Sequence, residues 1–454
     1  MSETALTVIL LLTAVKIVIG LKNFKSLTFE DYTLELKAYS WLRIGLSASA
    51  TIVGGGMFYA ITEIGSEAPA AGLSLGFAYL IGLTLFGFLA PTIIQKYQDL
   101  NFLSILKKVY GKTFTFQYQI VNLIIYIFLT AAQIVAFVKC IKSFQFTFQI
   151  SLTILFLTVA LSYPVLGGFK KDVQTDSFQI SVIFVAIMAL ILFQESNSIW
   201  IAASQLWNTN DSSRYSLTFI VGSLIFLIPS FFVRPDMWQR ACAGKTRIHT
   251  SAGFLFAGLL SFFFFLVFTI FGVILKDTGF TSQNDLFFGL ISLGDNEVLK
   301  AVVVASLLFA VLSSLDTTIN NSSILAFNLL QDFYISSDHK TSLRRIRLIS
   351  LFLTLVAIVL GFLIPDVVDL VVGAFSLILI YLPCILGLVS QKLADQKNLL
   401  IGTYSGLLSF TAFFIFGNPK TAFIPGVLAS ILVYLISLGF RFFISPRNKI
   451  SNNP

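Results

Sequence analysis

Charge is what this chain has least of. Asp, Glu, Lys and Arg together make up only 11% of its 454 residues, against the quarter usual in a soluble domain. No polar stretch runs beyond about 25 residues, which excludes a water-soluble domain of ordinary size. Histidine is scarcer still: His249 and His339 are the two in the chain. A His-based metal centre or acid–base pair therefore has little material, and both fall in polar loops where solvation is the simplest role. The three cysteines, Cys140, Cys242 and Cys384, are scattered, form no metal-ligand spacing and call for no disulfide. There is no phosphate-cradling glycine loop and no Cys–His pairing. Paired catalytic groups at a membrane face are also missing, which sets aside a lipid-modifying enzyme.

What is present is apolar. Hydrophobic residues make up 56% of the chain, and the mean hydropathy is +0.88. Runs of about 18 to 25 apolar residues recur along the whole length, which predicts an all-α polytopic membrane protein. Thirteen spans are expected, at 5–21, 38–62, 69–95, 115–138, 150–166, 173–194, 216–234, 250–275, 300–331, 345–364, 367–389, 399–416 and 421–441. The first run lacks a basic leader and a small-residue cleavage site, so it reads as a retained helix. Placing the N-terminus outside and the C-terminus in the cytoplasm puts most of the 30 Lys and Arg in inner loops. Those include Lys107, Lys108, Lys170, Lys171, Arg344, Arg345, Arg347, Arg441 and Arg447. Glu63, Glu67, Asp277, Asp285, Asp295 and Glu297 then fall outside, as the positive-inside rule requires. The formal charge of +8 thus faces an anionic leaflet rather than a nucleic acid. The 48 phenylalanines are explained by lipid contact and packing.

Two spans carry breaks. The second holds Gly54, Gly55 and Gly56 at its middle, and the seventh holds Pro229 near its centre with Arg234, Pro235 and Asp236 at its inner end. Glycine removes a side-chain shield and proline a backbone donor, so each break can turn backbone groups toward a cavity. Either alone is explained by helix packing. Five spans apart, they occupy corresponding places in two successive five-helix units, the pattern of a binding site between inverted repeats.

The polar segment AVLSSLDTTINN, Ala310 to Asn321, lies within the ninth apolar span. Ala310, Ser313, Ser314 and Thr317 share one helix face, with Asp316 beside them. A carboxylate in the hydrocarbon costs about 2.5 to 3.5 kcal/mol on insertion scales. Grouped hydroxyl and carboxylate oxygens suit a hard cation such as sodium. The competing reading is a patch of hydroxyls bonded to their own helix or gluing helices together.

These motifs, in their order, resemble the sodium:solute symporter family, whose members carry sugars, proline, sialic acid, pantothenate and iodide. The resemblance runs from GLSASATIVGG through YPVLGGFKKDVQTDSFQ and DMWQRACAGKT to AVLSSLDTTINNSS. It implies the leucine-transporter-like fold, a five-plus-five inverted repeat with broken first and sixth core helices, preceded by an extra helix. The expected division is an N-terminal helix and cytoplasmic loop at 1–37, the first repeat at 38–194 and an extracellular connection at 195–215. The second repeat follows at 216–389, then two further helices and a short tail at 390–454.

By the same resemblance, the main sodium site falls on Ala50 and Val53 of the first core helix and Ala310, Ser313 and Ser314 of the eighth. Unwinding near Gly54 would free the carbonyls of Ala50 and Val53. A second sodium, found in some members, would take Asp176, with Asp316 and Thr317 where hydroxyls are expected. Asp316 departs from the family pattern, and the alternatives are tighter sodium binding, a proton carrier or an ion pair with a basic residue. Thr51, Gly54, Gly55, Gln133 and Arg234 would line the solute cavity. Arg234 suits an anionic or zwitterionic solute such as a carboxylate or amino acid. Its competing roles are a gate with Asp236 and snorkelling to the headgroups.

The implied activity is sodium-coupled uptake of a small organic solute by alternating access, with Na+ as coupling ion, no covalent chemistry and a place in the plasma (inner) membrane. One charge moving down 100 mV contributes about 2.3 kcal/mol. A proton-coupled transporter of the same fold and a solute-sensing module remain as alternatives. Solute identity, stoichiometry and oligomeric state are not encoded legibly.

Overall fold

The computed structural model describes residues 3–22, 27–98, 100–142, 149–209, 215–280, 286–294, 297–331, 339–364, 366–417 and 422–444. Every extended element described is helical. In chain order they are α1 (Glu3–Leu21), α2 (Phe29–Thr33), α3 (Trp41–Ile52), α4 (Gly55–Glu67), α5 (Pro69–Lys96) and α6 (Phe102–Lys142). Next come α7 (Gln149–Phe193), α8 (Ser196–Ser204), α9 (Leu217–Ser230), α10 (Pro235–Ala243), α11 (Arg247–Asp277) and α12 (Leu286–Ser292). The chain continues through α13 (Glu297–Gln331), α14 (His339–Leu363), α15 (Val367–Leu379), α16 (Cys384–Val389), α17 (Gln396–Phe416) and α18 (Phe423–Ile444).

Among the described residues, eight single helices are long and apolar enough to cross a membrane, and two bent pairs bring the number to 10. The pairs are α3 with α4, bent by 62°, and α9 through Val233 with α10, bent by 56°. Thirteen spans were expected, and the three others fall on α1, on the first arm of α7 and on α15 with α16. Helix α1 is a 19-residue helix of mostly apolar sequence. Spans 150–166 and 173–194 are two arms of α7 hinged at Gly168, whose φ of +58° suits glycine. The expected span 367–389 is divided into α15 and α16 by a turn.

The breaks have different local causes. Val53 (φ −83°, ψ 54°) leaves the helix, and Gly54 (ψ 166°) runs extended into α4. The second break does not fall at Pro229, which stays inside α9. The helix tightens into a 3₁₀ turn at Phe231–Val233, and Arg234 is extended at φ −103°, ψ 113°. Proline disfavours helical backbone in the residue before it and is suited to the first helical position, so Pro235 both ends one helix and starts the next.

Around the breaks, α13 is the most enclosed spanning helix, with 83% of its most apolar window buried. It packs on α1, α3, α4, α6, α7 and α14. Aromatic rings fill the space between layers. Phe86 meets Phe232, Trp238 and Phe254 edge-on at 5.2, 5.3 and 4.9 Å, and Trp238 stacks on Phe102 at 4.6 Å. At one end, the backbone before α3 is stitched to the backbone after α10. Ala38 and Tyr39 both donate to the Ala243 carbonyl at 2.9 Å, and Lys245 donates to that of Tyr39 at 2.9 Å.

Candidate functional site

The first break is pressed against α13. A Cβ on Gly54 would lie 1.8 Å from Ser314 Oγ, and one on Gly55 1.9 Å from Val311 Cγ2, so a side chain at either position must displace α13. Ser314 Oγ donates to the Thr51 carbonyl at 3.0 Å. The last four carbonyls of a helix have no partner within it, and in α3 these include Ala50 and Thr51. Ala50 and Ala310 are fully buried, and Val53 is nearly so. Ser314 thus meets the end of α3 at the Thr51 carbonyl, whereas the carbonyls expected from the sequence were those of Ala50 and Val53. Ser313 points elsewhere, its Oγ donating to Asp176 Oδ1 at 2.6 Å. Adjacent helix residues face directions 100° apart, so the two hydroxyls serve two different centres.

The second centre is built around Asp176 and Asp172, one helical turn apart on α7. Ser47 Oγ donates to Asp176 Oδ2 at 2.6 Å. Arg240 reaches in from α10, fully buried. It donates from Nε to Ser47 Oγ at 2.9 Å and from one terminal nitrogen to Asp176 at 3.2 Å, Asp172 at 3.3 Å and Thr317 at 3.0 Å. Thr317 Oγ1 donates to Asp172 Oδ2 at 2.9 Å and lies 3.2 Å from Thr51 Oγ1. Asp176 and Thr317, expected at one site, share Arg240 as a donor, and the hydroxyl of Thr317 goes to Asp172. Ser47, Asp172 and Arg240 were missed, although two carboxylates at i and i+4 in an apolar helix are a visible demand for a buried cation.

Asp316 departs from the expected grouping. It points to α1, where Lys16 Nζ lies 3.4 Å from Asp316 Oδ2, both residues about 1% exposed. With the Gln179 amide turned so that its nitrogen donates to the Thr175 carbonyl at 3.2 Å, its oxygen accepts from Lys16 at 2.5 Å. Of the three alternatives for Asp316, the structure shows an ion pair. The partner is a basic residue of the first helix.

Between the breaks lies a cavity of about 30 Å³, lined by Thr51, Tyr79, Tyr126, Gln133, Arg234 and Ser314 among others. That holds a water or two, so this conformation is closed around its centre. An apolar cavity of about 80 Å³ adjoins it across Met57, Tyr79, Val371 and Phe375. Gln133 Oε1 accepts from the Gly56 amide at 3.0 Å, capping one of the first amides of α4. Arg234 is 5% exposed and forks onto Asp236, Nε to Oδ1 at 3.2 Å and a terminal nitrogen to Oδ2 at 2.6 Å. Tyr126 donates to Asp236 Oδ1 at 2.6 Å, and the guanidinium lies 5.3 Å from the Phe375 ring centre. Burial rules out snorkelling to headgroups. His249 sits in the first turn of α11 rather than a loop, 2.8 Å from Thr246 Oγ1.

Two facing broken helices crossed by a buried polar helix define a class: polytopic, all-helical membrane proteins of the leucine-transporter-like inverted-repeat fold. Solved structures show the same. The chain aligns over 97% of its length, and 98% of the other, with the substrate-bound outward-open state of a Na+-coupled sialic acid symporter, at a TM-score of 0.82 and 15% identity. Mhp1, a nucleobase-cation-symport-1 family transporter in a closed conformation with bromovinylhydantoin bound, matches at a TM-score of 0.60 and 9% identity. That match covers 90% of this chain and 95% of that one. No protein-family model and no curated protein sequence matches the chain. At these identities the likeness establishes the fold alone.

Proposed function

We propose that the chain is a sodium-coupled symporter that imports a small organic solute by alternating access. The observation that carries this is the glycine break of α3 and α4 held against Ser314, with helix-end carbonyls turned to a buried polar helix. A similar architecture in a Na+-coupled sialic acid symporter supports it. The donor set fits the ion: carbonyls of Ala50, Val53 and Ala310 with the hydroxyls of Ser313 and Ser314 are hard, neutral oxygens. Ser313 would turn from Asp176 to join them. Sodium there would tie the first and eighth core helices together and favour a formed solute site. Charge asymmetry supports an N-terminus outside, a cytoplasmic C-terminus and residence in the plasma (inner) membrane.

Solute would sit between Thr51, Gly54, Gly55 and Gln133. Arg234 is already matched in charge by Asp236, so we assign this pair to a gate rather than to anion recognition. A solute carboxylate would instead find the amides at the start of α4.

Thermal stability of the purified protein in sodium against choline chloride, at matched ionic strength, tests the reading. A saturable, sodium-specific rise is expected, about 2.7 kcal/mol at a hundredfold excess over the dissociation constant. It should vanish in Ser313→Ala with Ser314→Ala. A well-folded sample indifferent to sodium would sink sodium coupling and turn attention to protons.

A further inference from the structure

The buried core around α13 carries three carboxylates and two fixed cations. Asp172, Asp176 and Asp316 are 2%, 0% and 1% exposed, and Lys16 and Arg240 are 1% and 0% exposed. With every group ionised, their charges sum to one net negative charge. A buried charge without a partner is costly, so the core takes up a cation or a proton.

The geometry points to a second cation place that is filled by the chain itself, by Lys16 against Asp316 and Arg240 against Asp176, leaving the core one mobile monovalent cation. This rests on the symport reading and specifies its stoichiometry. Three observations converge. The residues that a second sodium would use are already engaged: Asp176 accepts from Ser313, Ser47 and Arg240, and Thr317 accepts from Arg240. Lys16 meets Asp316 at 3.4 Å and, through Gln179, reaches α7, the helix that carries Asp172 and Asp176. Asp172 Oδ1 is buried and accepts no hydrogen bond from the described residues, so the residual charge has a place; the Asp316 oxygens likewise accept none, but they face the Lys16 ammonium as an ion pair at 3.4 Å. A chain of contacts, Asp172 to Thr317, Thr317 to Thr51 and the Thr51 carbonyl to Ser314, links that carboxylate to the first break.

Here Asp316 and Lys16 are complementary. A carboxylate added to a cation site raises its demand for positive charge, and an ammonium on a neighbouring helix meets that demand permanently. The covalent cation cannot dissociate, so it contributes no ion gradient to transport. It also holds α1 against α7 and α13.

Equilibrium binding of radioactive sodium to the full purified chain, paired with melting in sodium and in choline chloride, tests this. The wild type should bind one sodium with a Hill slope of one. Lys16→Ala should bind a second, with a steeper slope, and should melt lower in choline than in sodium. Lys16→Met with Asp316→Asn removes both charges and should return to a single sodium. Two sodium ions in the wild type, or no additional sodium in Lys16→Ala, would overturn the proposal. So would a Lys16→Ala protein that fails to fold in sodium while the double variant folds, because sodium then does not replace the ammonium. No sodium bound by the wild type would sink the symport reading instead. In that case a sodium gained by Lys16→Ala and lost in the double variant would still sustain the built-in ammonium.

Discussion

The two broken helices solve one problem in opposite ways. At the α3–α4 break the chain removes side chains. Gly54 and Gly55 let α13 approach until Ser314 meets a helix-end carbonyl, Gly56 makes room for Gln133, and the surface presented is neutral backbone oxygen. At the α9–α10 break the chain adds charge. Arg234 and Asp236 fork together over Phe375 and are held by Tyr126, so the ends of both half-helices are covered by a satisfied ion pair. The first break is an open cradle and the second a closed latch. The symport we propose, with an ion taken up at one place and a cavity held shut at another, would use both chemistries, and glycine and proline supply them separately.

Charge removal at the latch should have the largest effect. Arg234→Met leaves Asp236 buried without its partner and should cost about 3–5 kcal/mol, read as a fall in melting temperature. Arg234→Met with Asp236→Leu should recover most of that loss. If the single and double variants melt alike, the pair is not what closes the second break. Next comes the cradle. Gly54→Ala places a methyl on Ser314 Oγ and should cost about 1–3 kcal/mol by overpacking, with sodium-specific stabilisation lost as well. Retained sodium stabilisation in that variant would separate the break from the ion site. A comparable effect is expected at the latch's support: Tyr126→Phe removes the hydrogen bond donated to the Asp236 carboxylate, about 1.5–3 kcal/mol, and the one accepted from the Asp236 amide. It should leave the sodium response in place, and a lost response would show that latch and cradle are coupled.

How far the fold could be read from the chain differs between these regions for the same reasons. Gly54, Gly55 and Gly56 sit mid-span, and three adjacent residues without side chains leave little ambiguity about where a helix opens. The second break was expected in a span that holds both Pro229 and Pro235, and a membrane helix tolerates one proline by local adjustment. It was Pro235, acting on Arg234 before it, that turned the chain. The hydroxyl face of α13 was legible from spacing, and its division between Ser314 and Ser313 was not, because direction depends on which helix lies opposite. Lys16, Ser47, Asp172 and Arg240 were missed for a related reason. Their meeting joins α1, α3, α7, α10 and α13, which lie far apart along the chain, and no local pattern records it. Arg240 stood inside the motif DMWQRACAGKT without a visible partner.

The short backbone stitch from Ala38 and Tyr39 to Ala243, answered by Lys245 to Tyr39, has a mechanical meaning. It pins the N-terminal tip of α3 to the C-terminal tip of α10, the half-helices on one side of the two breaks, like two oars lashed at the blade. Neither can swing by itself without tearing main-chain bonds, so a stroke that opens the cradle on that side must also pull on the latch.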